Sequence, residues 1–462
     1  MCMLDLVIRG AKVFCEGELR ELEIAVRDGK IVKLARAVPH EQAEVEVNAR
    51  GLVALPGGID VHVHFRDPGH THKESWYTGS CAAAAGGITT VIDQPNTTPP
   101  TVDGRSFKKK LRRARRLSIV DFGINGGVVE DNMEKLDVLA HAGVMAFGEI
   151  FMGESTNARA LEMEVLKAAL EEIARLGLPA CVHAEDMRTI ERCEPEARGD
   201  QTMYHMLARP PAAEARAVMD VVNIARSIGG LRLHICHVST RDGVGMVRNA
   251  KYIGMRASCE VTPHHLLLSE VHAQRLGSRA KVNPPLRSEE HVRALWAALR
   301  SGTIDVLASD HAPHTLAEKE QHVFDAPSGL PGVETLLPLM LMCVRENRLS
   351  LHRLVDALCT RPASLFGIEG KGRIALGYDA DIALFDMKRP EKIDAEVLHS
   401  KAGWSPFEGM EAVFPMLTVS RGEVVFDRIR NEDVVGEKGR GRWVIPGGCG
   451  DGAQYGDGDG AQ

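Results

Sequence analysis

The sequence predicts an α/β protein: a (β/α)8 TIM barrel carrying a small β-sandwich assembled from both termini. Three observations lead there. The middle of the chain alternates short apolar runs with longer amphipathic stretches, the pattern of repeated βα units. Both ends show short strands punctuated by Gly and Asp. A length of 462 residues suffices for one large barrel and a smaller domain. The division expected is 1–54 and 369–434 for the two parts of the sandwich, 55–368 for the barrel, and 435–462 for a Gly-rich, disordered tail.

The amino-terminal strands are read from "DLVIRGAKVF", "ELEIAVRDGKIVKLA" and "AEVEVNARGLVALPG", and the same texture returns in "GRIALGYDADIALFDM" and "FPMLTVSRGEVVFD". Between them, strands are expected at 59–65, 87–93, 118–126, 144–151, 179–184, 232–238, 255–261 and 304–310. The intervening segments, such as "ALEMEVLKAALEEIARLG" and "AAEARAVMDVVNIARSIGG", place apolar residues at helical spacing and end on Gly. Eight strands in this alternation fit a closed barrel. An open doubly wound sheet is the alternative, but no G-x-G-x-x-G turn follows the first strand.

Composition narrows the function. Hydrophobic residues make up 44% and charged residues 26%, as in ordinary soluble proteins. A net charge of −7 argues against a nucleic-acid binder and is silent about a small acidic substrate. No apolar run reaches membrane-spanning length and no signal peptide is evident, so no membrane association and a cytoplasmic location are expected. The ten cysteines form no C-x-x-C pair and read as reduced thiols, several of them (Cys181, Cys236, Cys259) inside strand-like runs.

Chemistry in such a barrel gathers at the carboxyl ends of the strands. Those ends hold His62, His64, Glu149, His183, His237 and Asp310, all of them metal-ligand types. His62 and His64 are two apart on one strand and share a face. Taken singly, His183 or His237 reads as a core histidine; at the ends of consecutive strands they read as ligands. Asp310 follows an apolar strand directly, where a buried carboxylate is costly unless a metal or a catalytic proton accounts for it.

The motifs "PGGIDVHVHFRDPG", "AAAAGGITTVIDQPNT", "LHICHVST", "CEVTPHHL", "NPPLR", "SDHAPH" and "GRIALGYDADIALFD" resemble those of the amidohydrolase superfamily and, within it, the dihydroorotases. The resemblance runs from about residue 5 to residue 427. It implies two zinc ions per subunit, the first held by His62, His64 and Asp310, the second by His183 and His237, with a carboxylate bridging both. The reaction implied is the reversible interconversion of N-carbamoyl-L-aspartate and dihydroorotate in de novo pyrimidine biosynthesis, through a metal-bound hydroxide with Asp310 as general acid and base. By the same resemblance Arg66 and Asn96 bind the substrate carboxylate, His314 joins them, and Asn283 is a candidate for contact with the pyrimidine ring. Among relatives a homodimer is common and some associate with aspartate carbamoyltransferase; no segment here establishes the latter contact.

Many relatives carry a carboxylated lysine as the bridge. Here no lysine lies between Lys135 and Lys167, and Glu149 takes the place. A glutamate is about three bonds shorter, so the strand or the metals must shift by roughly 3 Å. Glu154, a one-metal site and a salt-bridged surface Glu149 are the alternatives. Arg66, two residues beyond His64, faces the barrel mouth, where a guanidinium suits bidentate capture of a carboxylate. A salt bridge to Asp67 or Glu74 is its bland alternative; turn chemistry is that of Asn96, and a plain loop position that of His314. Whole-protein alternatives are a hydantoinase, dihydropyrimidinase or allantoinase-like cyclic amidase and, from another class, an inactive scaffold. The segment "APHTLAEKEQHVFDAPSGLPG" is expected to form the loop that admits substrate.

Overall fold

The computed structural model describes residues 3–39, 43–155, 159–197 and 203–449. The chain begins with strands β1 (Leu4–Cys15), β2 (Glu18–Arg27), β3 (Lys30–Ala35), β4 (Ala43–Asn48) and β5 (Val53–Pro56). The turns joining β1 to β2 and β2 to β3 are two-residue turns with both φ angles positive, at Glu16–Gly17 (51° and 88°) and Asp28–Gly29 (52° and 70°). Such mirror-image turns match the natural twist of a hairpin, which is why Gly stands second in each.

Eight barrel strands follow: β6 (Gly58–Val63), β7 (Ile88–Asp93), β8 (Asp121–Ile124), β9 (Phe147–Phe151), β10 (Pro179–His183), β11 (Arg232–Ile235), β12 (Ala257–Val261) and β13 (Val306–Leu307). They form two parallel arcs, β6-β7-β8 and β9-β10-β11-β12-β13. Parallel bridges Gly126↔Phe147 and Val63↔His311 join the arcs, so the eight strands close on themselves as the alternation predicts. Amphipathic helices cover the outside. In Met163–Leu176, for example, Leu166, Ala169, Leu170 and Ile173 are buried at helical spacing, and Gly177 ends the helix at φ 73°.

The chain then returns to the small domain with β14 (Ile382–Phe385), the hairpin β15 (Glu391–Lys392) and β16 (Glu411–Ala412), and β17 (Pro415–Ser420) and β18 (Glu423–Asp427). The order β18-β17-β14-β5-β1-β2-β3, with β4 on β1, makes one sheet from both ends of the chain, folded over a core that includes Ile8, Val13, Ile24, Leu384 and Val419. Lys371 fastens this domain to the barrel. Its ammonium, buried, lies 2.7 Å from Asp121 on β8 and 2.6 Å from Asp381.

The tail corrects the sequence reading. Expected to be disordered from 435, it is packed as far as the hairpin β19 (Val444–Ile445) and β20 (Gly448–Cys449). Trp443 supplies the reason: its ring is buried against Phe107, with Arg115 over its face. Residues 450–462 lie outside the described residues. Cys181, Cys236 and Cys259 are buried free thiols. Among the described residues no helix is long and apolar enough to cross a membrane.

Candidate metal centre

Parallel strands present their carboxyl ends at one mouth, and the six ligand-type residues converge there. His62 lies on β6 with His64 just beyond it, Glu149 on β9 and His183 at the end of β10, while His237 and Asp310 sit just beyond β11 and β13. All six are at most 5% exposed, so their charges interact with little screening by water. Arg66, His237 and Asp310 adopt positive φ (58°, 31° and 45°), a conformation that costs a non-glycine residue roughly 1–3 kcal/mol. The surrounding barrel holds them there, with their side chains on the site.

Glu149 is placed between two pairs of imidazoles. One oxygen, Oε2, lies 3.6 Å from His62 Nε2 and 3.6 Å from His64 Nε2. The other, Oε1, lies 2.8 Å from His237 Nε2 and 3.2 Å from His183 Nδ1. Asp310 Oδ1 completes the first group, 3.1 Å from His64 Nε2 and 3.6 Å from His62 Nε2. The short side chain reaches this position because β9 bulges. Phe147 pairs with Ala180 and Ile150 with Val182, so β9 spends one residue more than β10 across the gap. Such a bulge re-aims a side chain. Only glycine fits at 148, where a Cβ would come within 2.3 Å of the Cys181 carbonyl oxygen. Glu154, the other candidate bridge, is exposed.

The donor set fits divalent cations. Candidate ligand atoms of His62, His64 and Asp310, and again of His62, Glu149 and His237, lie within 4.8 Å of one another, and the overlap of the two groups defines a binuclear centre. His62 Nε2 is buried without a hydrogen-bond partner, as befits an atom aimed at a metal. Burial opposes charge throughout, yet the groups charge one another. Glu260 and Glu149 hold His62 well above the ordinary imidazole range. His183 is pushed up to about 9, against its burial, by hydrogen bonds to Glu149 and Glu185. Glu149 is held well below the carboxylate range by the imidazoles, and Asp310 is lowered chiefly by its hydrogen bond to His64. The negative potential that draws protons to these rings also draws a cation.

Three of the rings are oriented from behind. His62 Nδ1 donates to Glu260 Oε1 (2.5 Å), and Glu260 also accepts from His234 Nε2 (3.0 Å) and from the backbone N–H of His237 (3.2 Å). His64 Nδ1 donates to Asn96 Oδ1 (2.7 Å). His183 Nε2 donates to Glu185 Oε2 (2.9 Å), which Arg209 neutralises at 2.5 Å. Each bond fixes the ring's orientation and leaves the opposite nitrogen facing the centre, where its lone pair would serve a metal once the proton is displaced. Sequence reasoning missed Glu260 and Glu185. Glu185 was detectable, standing two residues beyond His183, and Glu260 stands near the end of a predicted strand. We expect Glu260→Gln to weaken metal affinity about 10- to 100-fold, read by competition with a chromogenic chelator; unchanged affinity would remove Glu260 from the site's support.

Beside the centre a small cavity of about 30 Å³ is lined by Arg66, Asn96 and Asn283 together with His64, Glu149 and Asp310. Neither suggested salt-bridge partner holds Arg66. Asp67 is taken bidentately by Arg113 (2.9 and 3.0 Å), and Glu74 accepts from Ser400 (2.7 Å). Arg66 instead donates to the Pro313 carbonyl (3.4 Å), and its guanidinium packs beside the His314 ring, Nη2 lying 3.2 Å from Nε2. His314 thus packs directly against Arg66, next to Ser328 of the cavity wall. Burial, then Arg66, Lys73 and Lys319, keep it neutral, with Lys73 donating to Nδ1 (3.0 Å) and Nε2 donating to the Ser328 carbonyl (3.0 Å). Asn96 spends its carbonyl on His64 while lining the cavity.

A closed parallel barrel with paired imidazoles and carboxylates at its carboxyl end defines a metal-dependent hydrolase, and the chain belongs to the amidohydrolase family, whose profile matches residues 53–425. Within that family its near full-length relatives include dihydroorotases of archaea and bacteria at 34–49% identity. The dihydroorotase of Methanosarcina mazei is 49% identical over 451 residues, covering 96% of this chain and 98% of that one. An allantoinase of Rubrobacter xylanophilus is 37% identical, covering 92% and 95%. Among solved structures, the L-hydantoinase (dihydropyrimidinase) from Arthrobacter aurescens superposes with a TM-score of 0.91 at 34% identity, covering 96% of this chain and all of that one.

Proposed function

We propose that this protein is a dihydroorotase, opening and closing the dihydroorotate ring to and from N-carbamoyl-L-aspartate. The observation that carries this reading is Arg66: a buried guanidinium, held by neither neighbouring acid, on the wall of the cavity beside the metal centre. A site built this way favours a ligand bearing its own carboxylate. Hydantoin and dihydropyrimidine rings carry none, so the fold shared with the hydantoinase does not by itself choose the substrate.

The donor set suits two zinc ions, held by His62, His64 and Asp310 on one side and His183 and His237 on the other, with Glu149 between them. Bound there, zinc would lower the pKa of a water and polarise the ring carbonyl. Asp310, ionised, takes the proton of the attacking water and returns it to the departing ring nitrogen; in ring closure it removes the proton from the carbamoyl nitrogen. Arg66 holds the ring carboxylate, with Asn96 and His314 beside it. Asn283 faces the same cavity and offers its amide to the ring.

The test is a substrate panel on zinc-loaded protein: dihydroorotate in both directions, hydantoin and allantoin. Turnover of dihydroorotate, with the other two slower by about a hundredfold or more in kcat/KM, is expected from loss of the carboxylate contact. Preference for either of the others would replace this reading with a hydantoinase or allantoinase. Absence of all turnover with metal bound would favour an inactive scaffold.

A further inference from the structure

Lys319 ends the short helix Leu316–Lys319, whose start is capped by Thr315. Its side chain is fully buried. The ammonium donates to three carbonyl oxygens, those of Lys281 (2.7 Å), Pro327 (2.9 Å) and Gly329 (3.1 Å). An ammonium has three donors, and all three are used on neutral partners. The indole of Trp404 lies to one side, its ring centre 5.8 Å away.

The three carbonyls belong to the two segments that wall the substrate cavity. Lys281 precedes Val282 and Asn283, and Pro327 and Gly329 flank Ser328; Val282, Asn283, Ser328 and Gly329 all line the cavity. Two further bonds join these segments, from the Gly329 N–H to the Lys281 carbonyl (3.0 Å) and from Ser328 Oγ to Asn283 Oδ1 (3.1 Å). For packing alone the arrangement is unfavourable, because an apolar side chain would fill the space without desolvating a charge. Burial, with Lys281 nearby, holds Lys319 well below the ordinary lysine range, so a polar nitrogen bonded to three carbonyls is kept there at a cost, and that cost points to what it holds in place.

We propose that Lys319 is a positioning residue for substrate: it fastens the Asn283 segment to the Pro327–Gly329 loop and so sets the width of the slot that receives the ring. The inference rests on the dihydroorotase reading. It predicts a change in substrate binding that leaves the metal centre intact, because Lys319 bonds none of the metal-ligand residues.

Lys319→Met and Lys319→Gln are compared with the wild type in the dihydroorotate assay, with metal content and far-ultraviolet circular dichroism recorded on each. For Lys319→Met, KM for dihydroorotate is expected to rise about tenfold or more, with kcat within about threefold and metal content unchanged; Lys319→Gln, which keeps donors, should fall between. A folded Lys319→Met protein with wild-type KM, or one whose loss lies in kcat alone, overturns the proposal. So does failure of both variants to fold, which would assign the ammonium to the core. A wild type without turnover overturns the functional reading and this inference with it, and that outcome is read separately from the variants.

Discussion

Asp310→Ala is expected to lower kcat in both directions by about 10²- to 10⁴-fold, the range lost with a positioned acid and base. The protein should keep part of its metal, because His62, His64 and Glu149 remain around the first position. The physical basis is the site's own electrostatics. Burial opposes charge on Asp310, but the hydrogen bond to His64 and the neighbouring imidazoles keep it ionised and ready to accept a proton. Its backbone, at φ 45°, aims it there at a conformational cost the barrel absorbs. Measuring kcat for hydrolysis and ring closure, with metal content by atomic emission, decides the matter. Turnover retained within about tenfold would exclude Asp310 as the proton carrier.

Glu149→Gln should be nearly as damaging, and through the metals. A carboxylate offers two charged oxygens, one to each pair of imidazoles; a carboxamide offers one neutral oxygen and an N–H2 group that repels a cation. We expect metal content to fall from two ions to one or fewer per subunit and kcat to drop by about 10³-fold, in keeping with loss of a bridged centre. The rings report the change as well. His183, now pushed up to about 9, loses the charge of its Glu149 partner and should titrate lower in metal-free Glu149→Gln, read by NMR of the imidazole protons. Two metals retained with full turnover would show that Glu149 is not the bridge.

The three remaining expectations separate supports from walls. Glu260→Gln tests the orientation of His62, the substrate panel tests Arg66, and Lys319→Met tests the slot. Each reads a different quantity (metal affinity, relative kcat/KM and KM); the Glu260 result stands apart from the other two, whereas the Lys319 result depends on the outcome of the substrate panel.

Much of the architecture and the centre is legible in the one-dimensional chain, because both follow from local rules. Short apolar runs alternating with helical patterning mark the eight barrel strands and their helices; the two-residue Gly turns mark the terminal hairpins. A spacing of two puts His62 and His64 on one face, and the absence of lysine from 136 to 166 leaves a plain carboxylate, Glu149, to stand in strand four. The same logic marked Arg66 as facing the mouth. The Gly-rich tail misled, since composition does not show that Trp443 finds a pocket against Phe107.

What only the tertiary structure decided are contacts between residues far apart in sequence, which leave no periodic trace. Glu260 reaches His62 across 198 residues. Arg113, 46 residues on, takes Asp67 and so leaves Arg66 without its nearest acid. His314, 248 residues from Arg66, packs against its guanidinium and the Ser328 carbonyl. Glu149 reaches both pairs of imidazoles through an extra residue in β9, whose register is set by β10. Local sequence determined which groups the site contains; long-range packing in a closed barrel decided which atoms face one another, because closure fixes side-chain direction only after every strand has found its neighbour.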